Sequence, residues 1–177
     1  VSQRFAIYRA INNLLPERKG KGWWDDLRPS LLSDAQKNAR PTTAEDWGKL
    51  SDQLFDSARG VRPAVDATEF IRASNKAARK ALELNPQEPL GLLNLGCAQV
   101  FGGMVLAQEM TPALKNLQEA LQFPLTASQK QKALFFLGKA CDLEDRPQER
   151  DAAWRQLLPW GSQWALFLVR EWLRAFP

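Results

Sequence analysis

A seven-residue phrase that occurs twice constrains this chain most. Leu92-x-x-Leu95-Gly96-x-Ala98 returns as Leu134-x-x-Leu137-Gly138-x-Ala140, offset by 42 residues. Leucines three apart share one face of a helix, and the glycine and alanine beside them strip that face of bulk. Such a helix is half of a packed pair and needs a second helix close against it. The segment before the first phrase ends in Ala81-Leu82-Glu83-Leu84-Asn85-Pro86, and Ala120-Leu121-Gln122-Phe123-Pro124 echoes that ending one residue shorter. Proline cannot continue a helix, so each ending marks a boundary.

The punctuation elsewhere is also helical. Apolar residues recur at helical spacing from Phe5 to Leu15, where Pro16 stops them. Glu17 to Gly22 reads as a charged, glycine-rich connector, followed by a short helical stretch from about Leu31 to Asn38. Thr42-Thr43-Ala44-Glu45 has capping-box spacing and opens a helix carrying Trp47, Leu50, Leu54 and Phe55. That helix should end near Gly60, and the next should run from Pro63 to Asn85, the small Ser74 completing its apolar stripe. A helix from Pro89 to Val100 should be broken by Gly102-Gly103, with Met104 to Met110 ambiguous. Thr111-Pro112 reads as a cap followed by proline at the first helical position. Thr126-x-x-Gln129 is a second capping box, before a helix through Cys141. Pro147 opens another through Leu158, and a last one spans Gln163 to Ala175. No stretch alternates with period two and no hairpin dipeptide occurs, so the expected class is all-α.

Through the Leu-Gly-x-Ala phrases and the Ala…Asn-Pro ending, the chain resembles the tetratricopeptide repeat family, whose units are helix–turn–helix pairs. The resemblance covers about residues 44–160, roughly three units. Trp47-x-x-Leu50-Ser51-x-x-Leu54 looks like the first helix of a more divergent unit, without the glycine, and an insertion lies around Gly102–Gln108. It implies stacked helical hairpins, a TPR-like α-solenoid over 43–160, flanked by an N-terminal helical extension (1–42) and a C-terminal apolar helix (161–177). It further implies a concave groove lined by first helices, with Lys49, Asn94, Lys132, Phe136 and Lys139 facing the ligand. Three lysines and an asparagine suit an acidic protein segment or a free C-terminal carboxylate. In the family's carboxylate-clamp version, Asn94 and Lys132 match, but an arginine is expected where Phe136 stands.

Composition narrows the chemistry. The 177 residues include no histidine, which removes Ser-His and Cys-His pairs, imidazole acid–base chemistry and His-containing metal sites. Gly20-Lys21-Gly22 lacks the spacing of a phosphate loop. Asp25-Asp26 and Asp142/Glu144/Asp145 pair carboxylates, but the latter fall in a turn between helices, where acids are solvated or cap a helix. No metal, no cofactor and no catalysis are expected. The net charge is only +4, with 15 basic and 12 acidic groups in residues 1–88 against 9 and 8 in residues 89–177. No basic tail argues for nucleic acid. Cys97 and Cys141 read as small buried hydrophobes, dispensable and reduced. No apolar run approaches a membrane span. The chain opens on Val1 and shows no secretory leader, and a cytoplasmic setting is the expectation.

Seven tryptophans remain, Trp23, Trp24, Trp47, Trp154, Trp160, Trp164 and Trp172, better explained by packing between helices than by a partner surface. The exception is the last helix, where Trp164 to Val169 is an unbroken apolar run. Six consecutive helical residues cover the whole circumference, more than a terminal cap hides. Trp164, Phe167, Leu168, Trp172 and Phe176 are therefore expected to form an interface, within the chain or with another. The functional expectation is a non-catalytic protein–protein interaction module. A permanent subunit of a larger complex, or a homo-oligomer, is the alternative, and a regulatory domain of an enzyme is the weaker third.

Overall fold

The computed structural model describes residues 41–58, 64–106 and 108–160. The helical stretches expected within residues 1–40 lie outside the described residues, as does the C-terminal helix with Trp164, Phe167, Leu168, Trp172 and Phe176. Among the described residues every regular element is helical: α1 (Ala44–Ala58), α2 (Ala64–Leu84), α3 (Pro89–Leu106), α4 (Thr111–Ala120), α5 (Ala127–Leu143), α6 (Pro147–Arg155) and a final 3-10 turn, Leu158–Trp160. The class is all-α, and no helix among these residues is long and apolar enough to cross a membrane. The chain divides into two compact units, residues 1–98 and 99–177, the division falling inside α3.

In the first unit, α1 begins one residue later than the Thr42 pattern suggests. Thr43 Oγ1 accepts from Asp46 N at 3.1 Å, and Asp46 Oδ2 accepts from Thr43 N at 3.2 Å and Thr42 N at 3.4 Å. These bonds, led by the one to the Thr43 hydroxyl, hold the Asp46 carboxyl below the usual carboxylate range. α1 and α2 then pack through two fully buried serines. Ser51 Oγ lies 2.9 Å from Ser74 O, Ser74 Oγ lies 2.8 Å from Ser51 O, and the hydroxyls are 3.0 Å apart. Ser51 occupies the place that glycine takes in the repeated phrase: it is small enough for close approach, and its hydroxyl satisfies the crossing at about 0.5–1.5 kcal/mol per hydrogen bond.

The turn from α2 to α3 is built by Asn85, whose Oδ1 accepts from Gln87 N at 3.1 Å and whose carbonyl accepts from Glu88 N at 3.0 Å. Glu88 precedes Pro89, and its carboxylate accepts from the backbone N–H of Gly91 and of Leu90 at the start of α3. That carboxylate is buried against Gly48 of α1, where any Cβ would overlap it.

Burial raises the Glu88 pKa, outweighing the two amides that lower it. A raised acid pKa means that the folded state holds the proton more tightly than the unfolded one. The stability from this group is complete below the unfolded pKa near 4.5 and is lost as pH rises through the folded value. Glu88→Gln should therefore gain on the wild type as pH rises from about 4.5 to 7, and Glu88→Ala, lacking the cap, should lie about 1 kcal/mol below Glu88→Gln at either pH. Urea melts of the three proteins check this, and a wild-type-minus-Gln difference that is flat with pH contradicts it.

The second unit corrects the expectation at Gly102-Gly103. α3 runs through both glycines to Leu106, and a Cβ on Gly103 would overlap the Met110 thioether, which is buried. A mid-helix glycine costs about 1 kcal/mol against alanine, and burying a methionine returns roughly 1.5–3 kcal/mol. Packing outweighs propensity, so the glycines make a seat rather than a break. Asn116 Nδ2 donates to Gln99 Oε1 at 2.9 Å and joins α4 to α3. Thr111 is not the cap it was expected to be. Met110 is the N-cap residue, its N–H donating to Glu144 Oε1 at 2.5 Å, while the Thr111 hydroxyl donates to Glu109 Oε1 at 2.8 Å.

The box at Thr126 forms as its spacing predicts: Gln129 N donates to Thr126 Oγ1 and Thr126 N to Gln129 Oε1. α5 then pairs with α6, and the contacts give the direction. Phe135 O accepts from Trp154 Nε1 at 3.1 Å, Gly138 faces the same indole, and Asp142 Oδ1 accepts from Arg150 Nη1 at 3.1 Å. Partners descend α6 as residues ascend α5, so the two helices are antiparallel. Their connection is a tight turn in which Asp145 takes a left-handed φ of 58°. Asp142 itself is 2% exposed and ion-paired, not solvated as expected for an acid near the turn.

Candidate interaction site

Of the five residues expected to face a ligand, Lys49 and Asn94 belong to the unit of residues 1–98, and Lys132, Phe136 and Lys139 to the unit of residues 99–177. Lys49 is exposed and paired with Glu45 one turn earlier at 2.5 Å. Asn94 has no exposed surface, and its Nδ2 donates to Leu90 O at 2.8 Å, the backbone of its own helix. A buried amide tied to its own helix holds that helix together and presents nothing to solvent.

The other three are brought together because α5 is one uninterrupted helix, and spacings of four and three residues put 132, 136 and 139 on one face. Lys132 is buried at 5% exposure, while Phe136 and Lys139 are half-buried. The rings of Phe135 and Phe136 meet edge-to-face, centroids 5.4 Å apart and planes at 88°. Lys139 Nζ lies 4.8 Å from the Phe135 centroid, 5.9 Å from that of Phe136 and 4.0 Å from Met104 Sδ of α3. A cation over an aromatic face is attracted by the ring quadrupole, but the price is desolvation. Burial lowers the Lys139 pKa to about 8, and the negative charge of Asp142 opposes the shift.

Two members of this cluster were not among the expected residues. Phe135 precedes Lys139 by four positions, a neighbouring pair on any helix, and could have been read from that spacing. Met104 carries no local signal, because its place depends on how α3 continues past the glycines. The adjoining side of α5 is structural: Gly138 and the Phe135 carbonyl meet Trp154, which is buried as the packing reading of the tryptophans expects. Trp160 is 41% exposed beneath the Lys130 ammonium, 5.9 Å from its ring centroid.

A shallow depression of about 410 Å³ runs along α4, lined by Thr111, Lys115, Gln118 and Gln122, with Arg146 at its edge. Lys115 and Glu119 both line it, so the depression is mixed in charge, and Arg146 is engaged by Glu149. Cys97 and Cys141 are buried thiols, and burial pushes Cys141 up to about 11. Among the described residues no three acidic or sulfur ligands gather as a metal site would require. No family model, no curated protein and no solved structure matches the chain.

Proposed function

We propose that this chain is a non-catalytic protein-interaction module of stacked helical hairpins, similar in kind to tetratricopeptide repeats, which receives an acidic protein segment on the Phe136–Lys139 face of α5. The observation that carries the reading is the half-buried residue Lys139, with its ammonium seated against Phe135 and Phe136. A carboxylate arriving there meets a cation already stripped of much of its water, where an ion pair is worth more than at an open surface. The flanking rings supply apolar contact for the segment's neighbouring side chains. The absence of histidine supports a binding role over catalysis.

The test is fluorescence anisotropy of the full chain with labelled acidic peptides, each with a free and an amidated C-terminus. Lys139→Met is expected to weaken binding about tenfold or more, the equivalent of about 1.4 kcal/mol. Wild-type binding should fall as pH rises from 7 to 9, because the cation is lost through its pKa near 8. Equal affinity for acidic and neutral peptides, or none for either, overturns the reading and favours the permanent-subunit alternative.

A further inference from the structure

We infer that the outer face of α2 is a second interaction surface, shaped for an acidic helix of a partner protein. Arg72, Lys76, Arg79 and Lys80 are all exposed, and no acidic residue occurs from position 70 to 82. At 3.6 residues per turn the four cations fall within an arc of about 100° and span about 12 Å of the helix. The side chains of Arg72 and Lys76 make no hydrogen bond or ion pair among the described residues. Arg79 Nε donates to Asn75 Oδ1 at 2.8 Å, and Lys80 pairs at 2.5 Å with Glu83. Like charges four residues apart, as in Arg72–Lys76 and Lys76–Lys80, destabilise a helix. The stability of α2 therefore does not account for the stripe, whereas an anionic partner laid along it would relieve the repulsion.

The end of the stripe selects the class of partner. Glu83 continues the same face and is exposed, and Leu84 beside it is 57% exposed. A phosphate backbone would be repelled by Glu83 and would gain nothing from Leu84, and the stripe holds no aromatic ring on which a base could stack. Insertion into a membrane needs a free apolar face, but the other side of α2, with Ser74, Ala77 and Ala81, is buried in the fold. A protein helix with carboxylates at i, i+4 and i+7, then a cation and an apolar residue one turn on, complements every one of these groups. Charges along a helix face choose partner and orientation in this way in paired helices. Because α2 belongs to the unit of residues 1–98 and the α5 face to the other, the inference does not rest on the α5 reading.

The probe is a labelled peptide of about 20 residues, long enough to hold a helix, with glutamates at i, i+4 and i+7 followed by lysine and leucine one turn on. Its control has the same composition with the glutamates spread round the helix. Anisotropy titrations with the full chain at about 150 mM salt, where loose surface attraction is screened, are expected to favour the in-phase peptide about tenfold. Arg72→Gln with Lys76→Gln should weaken that binding about tenfold, while a circular dichroism spectrum shows the variant folded. Lys139→Met should leave it unchanged. In-phase and control peptides bound alike, or a double variant that binds as the wild type does, overturns the proposal. So does tighter binding of a single-stranded oligonucleotide of equal charge, or of phosphatidylserine vesicles. Loss in Lys139→Met alone would place the peptide on the α5 face and overturn it too. Binding that survives Lys139→Met and fails in the double variant upholds it, whether or not the α5 face binds anything.

Discussion

Gly138→Ala is expected to destabilise the protein by about 2 kcal/mol, although alanine is the better helix former by about 1 kcal/mol. The added methyl would fall inside the Trp154 indole at Nε1, in a pair of helices already in contact. Nor can the indole withdraw freely. It is 2% exposed, and Nε1 donates to Phe135 O at 3.1 Å. Overpacking of a filled core costs about 1–3 kcal/mol, and expelling the tryptophan approaches the roughly 3–5 kcal/mol of deleting a large aromatic. Gly138→Leu should lie toward that upper figure. In a Trp154→Leu background the alanine should cost at least about 1 kcal/mol less, because the atoms it strikes are gone. Equilibrium urea unfolding of the four proteins measures both numbers. A Gly138→Ala protein as stable as the wild type would mean that α5 and α6 do not cross at this glycine.

That crossing was legible in the repeated phrase, because glycine after two leucines on one face announces a close approach. The first helical pair solves the same problem with other atoms. Ser51 meets Ser74 there and keeps the short distance while adding reciprocal hydrogen bonds. Where the reading of the sequence slipped, local signals were degenerate or tertiary packing overrode them. Thr42…Glu45 and Thr43…Asp46 both place a hydroxyl three residues before a carboxylate, and only the structure selects the second. Gly102-Gly103 carries a break signal by propensity, but a buried Met110 needs that surface and the helix continues. The α5 cluster shows the same division: Lys132, Phe136 and Lys139 follow from helical spacing, whereas Met104 beside them follows only from the path of α3.

Asp142→Ala is expected to cost about 3 kcal/mol or more and to act on the proposed interaction face as well. Its carboxylate, 2% exposed, accepts from Arg150 Nη1 at 3.1 Å, while Arg150 Nε donates to Asp151 Oδ1 at 2.8 Å and the guanidinium lies 5.8 Å from the Trp154 ring centroid. Two charges taken out of water together are tolerable, but removing one leaves the other buried with less to balance it, typically at about 3–5 kcal/mol. Replacing both should cost far less than the sum of the two single changes, since Asp142→Leu with Arg150→Met also removes both desolvation penalties. Additive losses in denaturant melts would show that the pair is not coupled. The second readout is Lys139, three residues earlier on α5, whose ammonium the Asp142 charge favours against burial. Without that charge the Lys139 pKa should fall below about 8, moving the loss of its cation, and of acidic-peptide binding, to lower pH. NMR titration of a 13C-methylated lysine sample follows that midpoint directly, and a midpoint unmoved in Asp142→Ala would sever the ion pair from the site.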